Sequence, residues 1–102
     1  MNDKLCPKME HTLVLLGKKW TGLIVLSLLK GPQKFTEMEH FITGISPRLL
    51  TERLKELILE EIIKKNVYPE TPVRIEYILT EKGIDLSATY KKIGQWAEKW
   101  TK

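Results

Sequence analysis

The amino-acid sequence predicts a mainly α fold with one small β-hairpin. Apolar residues recur at helical spacing along most of the chain, and the period changes to two only between Ile63 and Leu79. The third and fourth predicted helices are joined by a short turn that contains glycine, which is the spacing of a helix-turn-helix. Because the hairpin follows this motif directly, the sequence predicts a winged helix-turn-helix.

Length and composition limit the possible classes of protein. The 102 residues allow one domain, which we expect to span residues 1–102, and 42% hydrophobic residues are too many for a disordered chain. A single cysteine excludes a fold stapled by internal disulfides. No apolar run approaches a membrane span and no signal peptide is recognisable, so we expect a cytoplasmic protein without membrane contact.

The net charge of +4 gives modest evidence for a polyanionic partner. Residues 34–68, which hold the predicted helix-turn-helix, carry six basic and six acidic side chains. The sequence therefore has no basic tail there that could bind nucleic acid by charge alone. Binding would depend on a shaped face that presents a few basic residues to phosphate.

The first helix is expected to begin at Pro7, after a short arm over Met1–Leu5, and to end at Gly17. The second runs from Lys19 or Trp20 to Leu29. It is apolar almost all round, which predicts a central, buried helix. The third runs from Thr36 to Phe41 or Ile42, with Thr36 as its expected N-cap.

The fourth helix carries the main functional signal. Ser46 is its expected N-cap, Pro47 its first residue, and it runs to about Glu60. Its predicted inward stripe comprises Leu50, Leu54, Leu57 and Ile58. Its opposite face presents short polar and long basic side chains near the N-terminus of the helix, which is what entry into a DNA major groove requires. A solvated amphipathic face is the alternative, and the flanking turn and hairpin favour DNA.

Individual roles follow from side-chain chemistry. Arg48 can donate two hydrogen bonds to a guanine edge, Thr51 can contact a thymine methyl group or a phosphate, and Arg53 is expected beside a phosphate. At the hairpin tip, an ordinary β-turn with one surface arginine is as good an interpretation as a wing over the minor groove. The complete set of predicted DNA contacts is Lys34, Thr36, Ser46, Pro47, Arg48, Thr51, Glu52, Arg53, Lys55, Tyr68, Thr71 and Arg74.

The last helix, from Thr80 as its cap to about Trp100, carries a heptad seam that Trp96 widens. This seam and the stripe of the first helix exceed what one thin core can cover, which favours a homodimer. The alternative is that the last helix packs only on its own domain. The predicted dimer interface comprises Met9, Leu13, Leu86, Tyr90, Ile93, Trp96, Ala97 and Trp100.

Cys6 precedes Pro7 at the start of the first helix, where the helix dipole favours a thiolate. It is a candidate redox sensor, and the alternative is a small residue packed in an interface. His11 and His40 are too few and too scattered to form a metal site with it. We expect no metal and no cofactor, and no catalytic constellation is recognisable, so an enzyme is not expected.

The sequence also resembles the HxlR-type winged helix-turn-helix transcription regulators, which are related to the MarR class. The resemblance runs from Cys6 to the last tryptophan. Its matching stretches are Cys6-Pro7, residues 17–21, Gly31-Pro32 with Phe35, residues 44–54, and residues 67–80 at Val67, Tyr68, Pro69, Glu70, Pro72, Arg74, Glu76, Tyr77, Leu79 and Thr80. Together these stretches are highly specific.

The resemblance implies a dimeric, sequence-specific DNA-binding regulator of a bacterium or archaeon. The DNA-reading helix would begin at Ser46, and the hairpin from Tyr68 to Arg74 would be the wing. In some members the cysteine before the first proline senses electrophiles or oxidants, which corresponds to Cys6 here. Members with a second, distal cysteine form disulfides between subunits, and this sequence has no second cysteine.

We therefore expect a homodimer that binds an inverted repeat in double-stranded DNA, with half-sites about one helical turn or a multiple apart. The sequence does not identify a small-molecule inducer. The main alternative is a winged-helix module that recruits a protein and does not bind DNA. A thiol enzyme that uses Cys6 is a third reading.

Overall fold

Helices and one hairpin follow each other in the order that the sequence predicts. The structure is a computed structural model that describes residues 6–102, so the expected arm at Met1–Leu5 lies outside the described residues. The elements are α1 (Pro7–Gly17), α2 (Thr21–Ser27), a 3-10 turn (Leu28–Lys30), α3 (Phe35–Phe41), α4 (Pro47–Leu59), β1 (Ile63–Tyr68), β2 (Arg74–Leu79) and α5 (Glu81–Trp100). The mainly α, winged helix-turn-helix prediction is confirmed.

Helix α2 is central, as predicted, but it is shorter and less uniformly buried. Trp20 lies outside it in the left-handed region, with φ 81°, and this backbone conformation prevents the helix from starting earlier. Ile24 and Val25 are fully buried, whereas Leu23 is 45% exposed. The prediction of burial all round is wrong at Leu23, because even a nearly all-apolar helix keeps one side away from the core.

Helix α3 begins one residue before the expected start. The cap position is Lys34, not Thr36. The Lys34 backbone N–H donates to the carboxylate of Glu37 at 2.8 Å, which is the bond that an acidic residue at the third helical position supplies to the cap residue. The prediction of Thr36 as N-cap is therefore wrong, and its side chain remains exposed.

Helix α4 begins as its sequence predicts. The Ser46 hydroxyl oxygen accepts a hydrogen bond from the Leu49 N–H at 3.1 Å, and Pro47 is the first helical residue. Leu50, Leu54 and Leu57 are buried. The helix thus turns its apolar stripe to the core and leaves its polar face outside.

The hairpin pairs β1 with β2 antiparallel, from Ile63 opposite Leu79 to Tyr68 opposite Arg74. Gln33 extends this sheet by one residue, since its N–H and carbonyl both bond to Tyr77, at 3.0 and 2.8 Å. Only the base of the hairpin reaches the core, where Ile63 and Tyr77 are buried. The tip projects from the body as a wing.

One glycine brings the start of helix α5 close to the turn between α4 and β1. Thr80 caps the helix by accepting the Gly83 N–H at 3.1 Å. A Cβ atom on Gly83 would lie 2.1 Å from the carbonyl oxygen of Ile62, so no side chain fits there. The glycine that lowers helix propensity is therefore what allows α5 to approach the body.

The core lies between α2, α3, α4 and the base of the hairpin. Its buried hydrophobic residues are Ile24, Val25, Leu28, Met38, Ile42, Ile45, Leu50, Leu54, Leu57, Ile62, Ile63 and Tyr77. Helix α1 contributes no buried residue. The Cα radius of gyration is 15.3 Å, against about 13 Å for a compact chain of this length, and the longest extent is 59 Å. The described residues therefore form a small body with projecting parts.

Among residues 6–102, no single helix is long and apolar enough to cross a membrane. The first two helical segments, Pro7–Gly17 and Thr21–Lys30, reach the required length and composition only as a pair, and a bend of 79° separates them.

Candidate nucleic-acid interface

The polar face of α4 is open to solvent. Its exposed residues are Ser46, Pro47, Arg48, Thr51, Glu52 and Lys55, all of which the sequence predicts as DNA contacts. Arg48 and Lys55 form no ion pair with any described residue, so both positive charges are available to an external anion. The face lies opposite the buried leucine stripe of the same helix.

The hydroxyl groups on this face already have partners. The Thr51 hydroxyl donates to the carbonyl oxygen of Pro47 at 2.8 Å, and the Ser46 hydroxyl is occupied as the cap. Thr51 consequently offers its methyl group and one oxygen lone pair outward. That chemistry suits an apolar contact with a thymine methyl group.

Arg53 differs from the other predicted contacts. Its side chain is 16% exposed, its Nε donates to the carbonyl oxygen of Lys19 at 2.9 Å, and its NH1 lies 3.3 Å from Glu56 Oε1. Its guanidinium thus already has partners within the chain through Nε and NH1. Arg53 ties the turn before α2 to α4, because its fork can satisfy a backbone oxygen and a carboxylate together.

The start of α3 and the wing line one groove. Lys34 and Thr36 stand on one side, and residues 70–75 stand on the other, around a cavity of about 390 Å³. Both α3 residues are exposed. The structure thus brings Lys34 and Thr36, at the start of α3, next to the predicted wing contacts Thr71 and Arg74. The two pairs are far apart in the sequence.

Two carboxylates that the sequence analysis did not single out hold the wing arginine. Arg74 NH2 lies 3.1 Å from Glu70 Oε1, and Arg74 NH1 lies 3.1 Å from Glu76 Oε2. Its guanidinium also lies 3.9 Å from the centroid of the Tyr68 ring. The hydrogen bond from Arg74 lowers the pKa of Glu70, and its charge adds to the effect. Arg74 and Glu76 are two residues apart, so they lie on the same side of the strand. This spacing is the sequence pattern from which their pairing could be predicted.

Cys6 occupies the N-cap position of α1 and is exposed. The nearby backbone N–H groups of Met9 and Lys8 lower the pKa of its thiol. Because these donors are the free N–H groups of a helix start, they stabilise the thiolate without any nearby side chain. A lowered pKa increases the fraction of the thiol present as the nucleophilic thiolate.

The predicted dimer residues divide into two groups. Met9, Leu13, Ile93, Trp96 and Trp100 are each at least half exposed. Leu86 and Tyr90 instead pack against the core of their own chain, and the Tyr90 ring lies 3.0 Å from the position that a Cβ on Gly22 would take. Ala97 is half-buried. The first half of α5 therefore belongs to the body, and the second half projects with its aromatic side chains uncovered.

Polar side chains connect α1 with α4 and its C-terminal end. Lys18 Nζ, directly after α1, lies 3.0 Å from Glu56 Oε2, and His11 Nε2 lies 3.0 Å from Glu60 Oε1. The sequence analysis missed these pairs because the partners are far apart in the chain. No group of three or more His, Cys, Asp or Glu side chains within residues 6–102 could hold a metal ion.

Comparison with known proteins gives the family. The model of the HxlR-like helix-turn-helix family matches residues 15–102. The chain belongs to this family. Its members are transcriptional regulators, and the two Bacillus subtilis relatives below carry that description. The resemblance stated from the sequence is confirmed.

The relatives extend over nearly the whole chain. The uncharacterized HTH-type transcriptional regulator YvaP of Bacillus subtilis is 48% identical over 96% of this chain and 91% of its own length. The HTH-type transcriptional regulator YodB of Bacillus subtilis is 47% identical over 98% of this chain and 89% of its own.

Solved structures have the same fold. The reduced form of YodB superposes with a TM-score of 0.86 at 46% identity, covering 97% of each chain. The redox regulator HypR in its oxidized form gives a TM-score of 0.86 at 33% identity, covering 95% of this chain and 99% of its own. The protein is thus a transcriptional regulator with a winged helix-turn-helix fold.

Proposed function

We propose that this regulator binds an inverted repeat in double-stranded DNA as a homodimer and responds to oxidants or electrophiles through Cys6. The single observation that carries the DNA-reading part is the exposed polar face of α4, whose Arg48 and Lys55 have no described ionic partner. A DNA partner implies a cytoplasmic location. The domain that does this comprises the whole chain, residues 1–102.

Contacts on α4 would carry base recognition. Arg48 would donate to a guanine edge, Thr51 would contact a thymine methyl group, and Lys55 would contact phosphate. Ser46, Pro47 and Glu52 would border the same groove. Lys34, Thr36, Tyr68, Thr71 and Arg74 would follow the backbone on the wing side. Arg53 would act indirectly, by holding α4 in place.

Uncovered apolar surface supports the homodimer. Helix α1 buries none of its residues within the chain, and Trp96 and Trp100 are about two-thirds exposed. An exposed patch of this kind marks an interaction surface. A second copy is the proposed cover, through Met9 and Leu13 of α1 and the projecting half of α5.

Chemistry at Cys6 supports the sensor. The thiol is accessible and its pKa is lowered by backbone N–H groups. YodB, a relative, is described in reduced, diamide-treated and quinone-bound forms. In this chain a quinone would add to the thiolate, whereas a disulfide would need a thiol from a second chain or a small molecule, since the sequence contains one cysteine.

Selection from random duplex DNA tests the reading helix. We expect the wild type to enrich an inverted repeat, and we expect Arg48→Ala to lose about 1–3 kcal/mol of preference at one position of each half-site. Lys64→Ala is the control, because it removes a positive charge at the base of β1 that has no ion pair with any described residue and lies outside the predicted DNA contacts and dimer residues. Failure of the wild type to enrich a motif, together with an affinity that does not fall with salt, would instead support the protein-recruiting module.

A second comparison tests Cys6. DNA affinity of the wild type should change after treatment with diamide or a quinone, and affinity of Cys6→Ser should not. Equal responses of the two proteins would rule out the sensor, and any turnover that disappears in Cys6→Ser would point to a thiol enzyme.

A further inference from the structure

Polar side chains link helix α1 to the reading helix α4. No residue of α1 is fully buried, although its Leu15 packs against the core. Lys18, directly after α1, forms an ion pair with Glu56 of α4, and the ring Nε2 of His11 lies within hydrogen-bond distance of Glu60 at the end of α4, each at 3.0 Å. Specific polar contacts therefore help to set the position of α1 relative to α4.

Glu56 is the centre of this arrangement. Its carboxylate contacts Lys18 Nζ on one side and Arg53 NH1 on the other, at 3.0 and 3.3 Å. Arg53 in turn donates from Nε to the carbonyl oxygen of Lys19 at 2.9 Å. An isolated surface ion pair contributes little, but here one carboxylate serves two cations and one cation also holds the backbone. The turn after α1 is thus tied to α4 by two routes.

We propose that Lys18 is a positioning residue that, through Glu56, fixes the angle between α4 and α1 and thereby sets the half-site spacing that the dimer accepts. This inference rests on the proposed function. In a dimer formed through α1 and α5, the distance and rotation between the two reading helices depend on how rigidly each α4 is joined to its own α1.

The mechanism is geometric. One inserted base pair moves a half-site by 3.4 Å and rotates it by about a tenth of a turn. A dimer with a rigid α1–α4 joint must deform the DNA or lose contacts to follow this change. A dimer whose joint has been loosened can rotate its reading helices and accept the altered spacer at a smaller penalty.

Three proteins test the proposal: wild type, Lys18→Met and Lys18→Arg. The probe is the inverted repeat that the wild type selects from random DNA, prepared with its own spacer and with spacers one base pair shorter and longer. We expect wild-type affinity to fall about tenfold for an altered spacer, and the fall for Lys18→Met to shrink to about threefold or less. Lys18→Arg should restore the wild-type discrimination, because it keeps the charge and reach toward Glu56.

Spacer discrimination separates this role from simpler ones. A direct phosphate contact or a general loss of stability would lower affinity by the same factor on every spacer, and that result would overturn the proposal. So would wild-type discrimination in Lys18→Met. Glu56→Gln is the second variant, which removes the same link from the side of α4. Glu81→Gln at the start of α5 is its matched control, because Glu81 is exposed, has no ion pair with any described residue and lies outside the proposed dimer interface. Failure of the proposed function is distinct, since the wild type itself would then select no inverted repeat.

Discussion

The middle of the chain and its two terminal helices use apolar residues for different purposes. In α2, α3, α4 and the base of the hairpin, apolar side chains meet one another, and the core residues among them are at most 9% exposed. In α1 and the second half of α5, apolar residues at the same helical spacing remain exposed. Periodicity therefore identifies a face that must be covered, and only the packing tells whether the same chain covers it.

Substitutions in the core give the largest expected effect. Leu57→Ala should reduce the free energy of unfolding by about 2–5 kcal/mol, because it leaves a cavity where a side chain that is 1% exposed now packs. Leu13→Ala on α1 makes the matched comparison, since its side chain is 53% exposed. Urea unfolding at a protein concentration low enough to dissociate a dimer measures both. Equal losses of unfolding free energy would show that the core and α1 contribute to folding stability in the same way.

Removal of an exposed tryptophan should affect association, not folding. We expect Trp96→Ala to weaken the dimer by about 2 kcal/mol, roughly 30-fold in the dissociation constant, because a large aromatic residue at an interface carries much of the binding energy. Sedimentation equilibrium is the measurement. Phe41→Ala is the control, with a side chain that is 51% exposed but lies on α3. If the wild type sediments as a monomer at micromolar concentration, the exposed residues of α1 and α5 are not a dimer interface.

Loss of a helix cap should have a smaller effect, confined to the middle region. Ser46→Ala removes the acceptor of the Leu49 N–H and should cost about 1 kcal/mol of stability. The same change at Thr43, in the turn before it, should cost little, because no hydrogen bond involves its side chain among the described residues. Thermal unfolding followed by circular dichroism distinguishes the two, and similar melting temperatures would argue against the cap.

The smallest expected effect concerns the pH dependence of the wing. Arg74 lowers the pKa of Glu70, so the folded state binds this proton less readily than the unfolded state does. The stabilisation is therefore present above the unfolded pKa, about 4.3, and is lost as the pH falls through the lower folded pKa. Carbon-13 NMR titration should give Glu70 a midpoint below that of an ordinary glutamate. In Arg74→Gln the titration midpoint of Glu70 should rise. An unchanged midpoint would show that Arg74 does not lower the pKa of Glu70.

Much of the fold could be predicted because local signals and burial agree. Ser46-Pro47 and Thr80 mark helix starts by chemistry that operates within a few residues, and the period of two marks the hairpin. Trp20 could not be predicted, since its left-handed backbone depends on tertiary packing. The role of Gly83 could not be predicted for the same reason, because it lies in the close approach of Ile62 and not in helix propensity.

The candidate site was predictable to the level of faces but not of individual pairings. Amphipathic spacing identified the open side of α4, where Arg48 and Lys55 lie. It could not separate Arg48, which has no described ionic partner, from Arg53, whose guanidinium is held by Glu56 and Lys19. The Glu56 pair has helical i,i+3 spacing, but the bond to the Lys19 carbonyl oxygen joins residues 34 positions apart, which no local pattern records.

The uncovered apolar residues of α1 and α5 also affect how the protein is made. Helix α1 leaves the ribosome first, and the projecting half of α5 about 80 residues later, which at ordinary rates of translation takes several seconds. Throughout that interval the nascent chain carries the exposed stripe of α1 with nothing of its own to place against it. When two ribosomes translate one message in close succession, the second nascent chain would be close enough to cover the exposed stripe of the first.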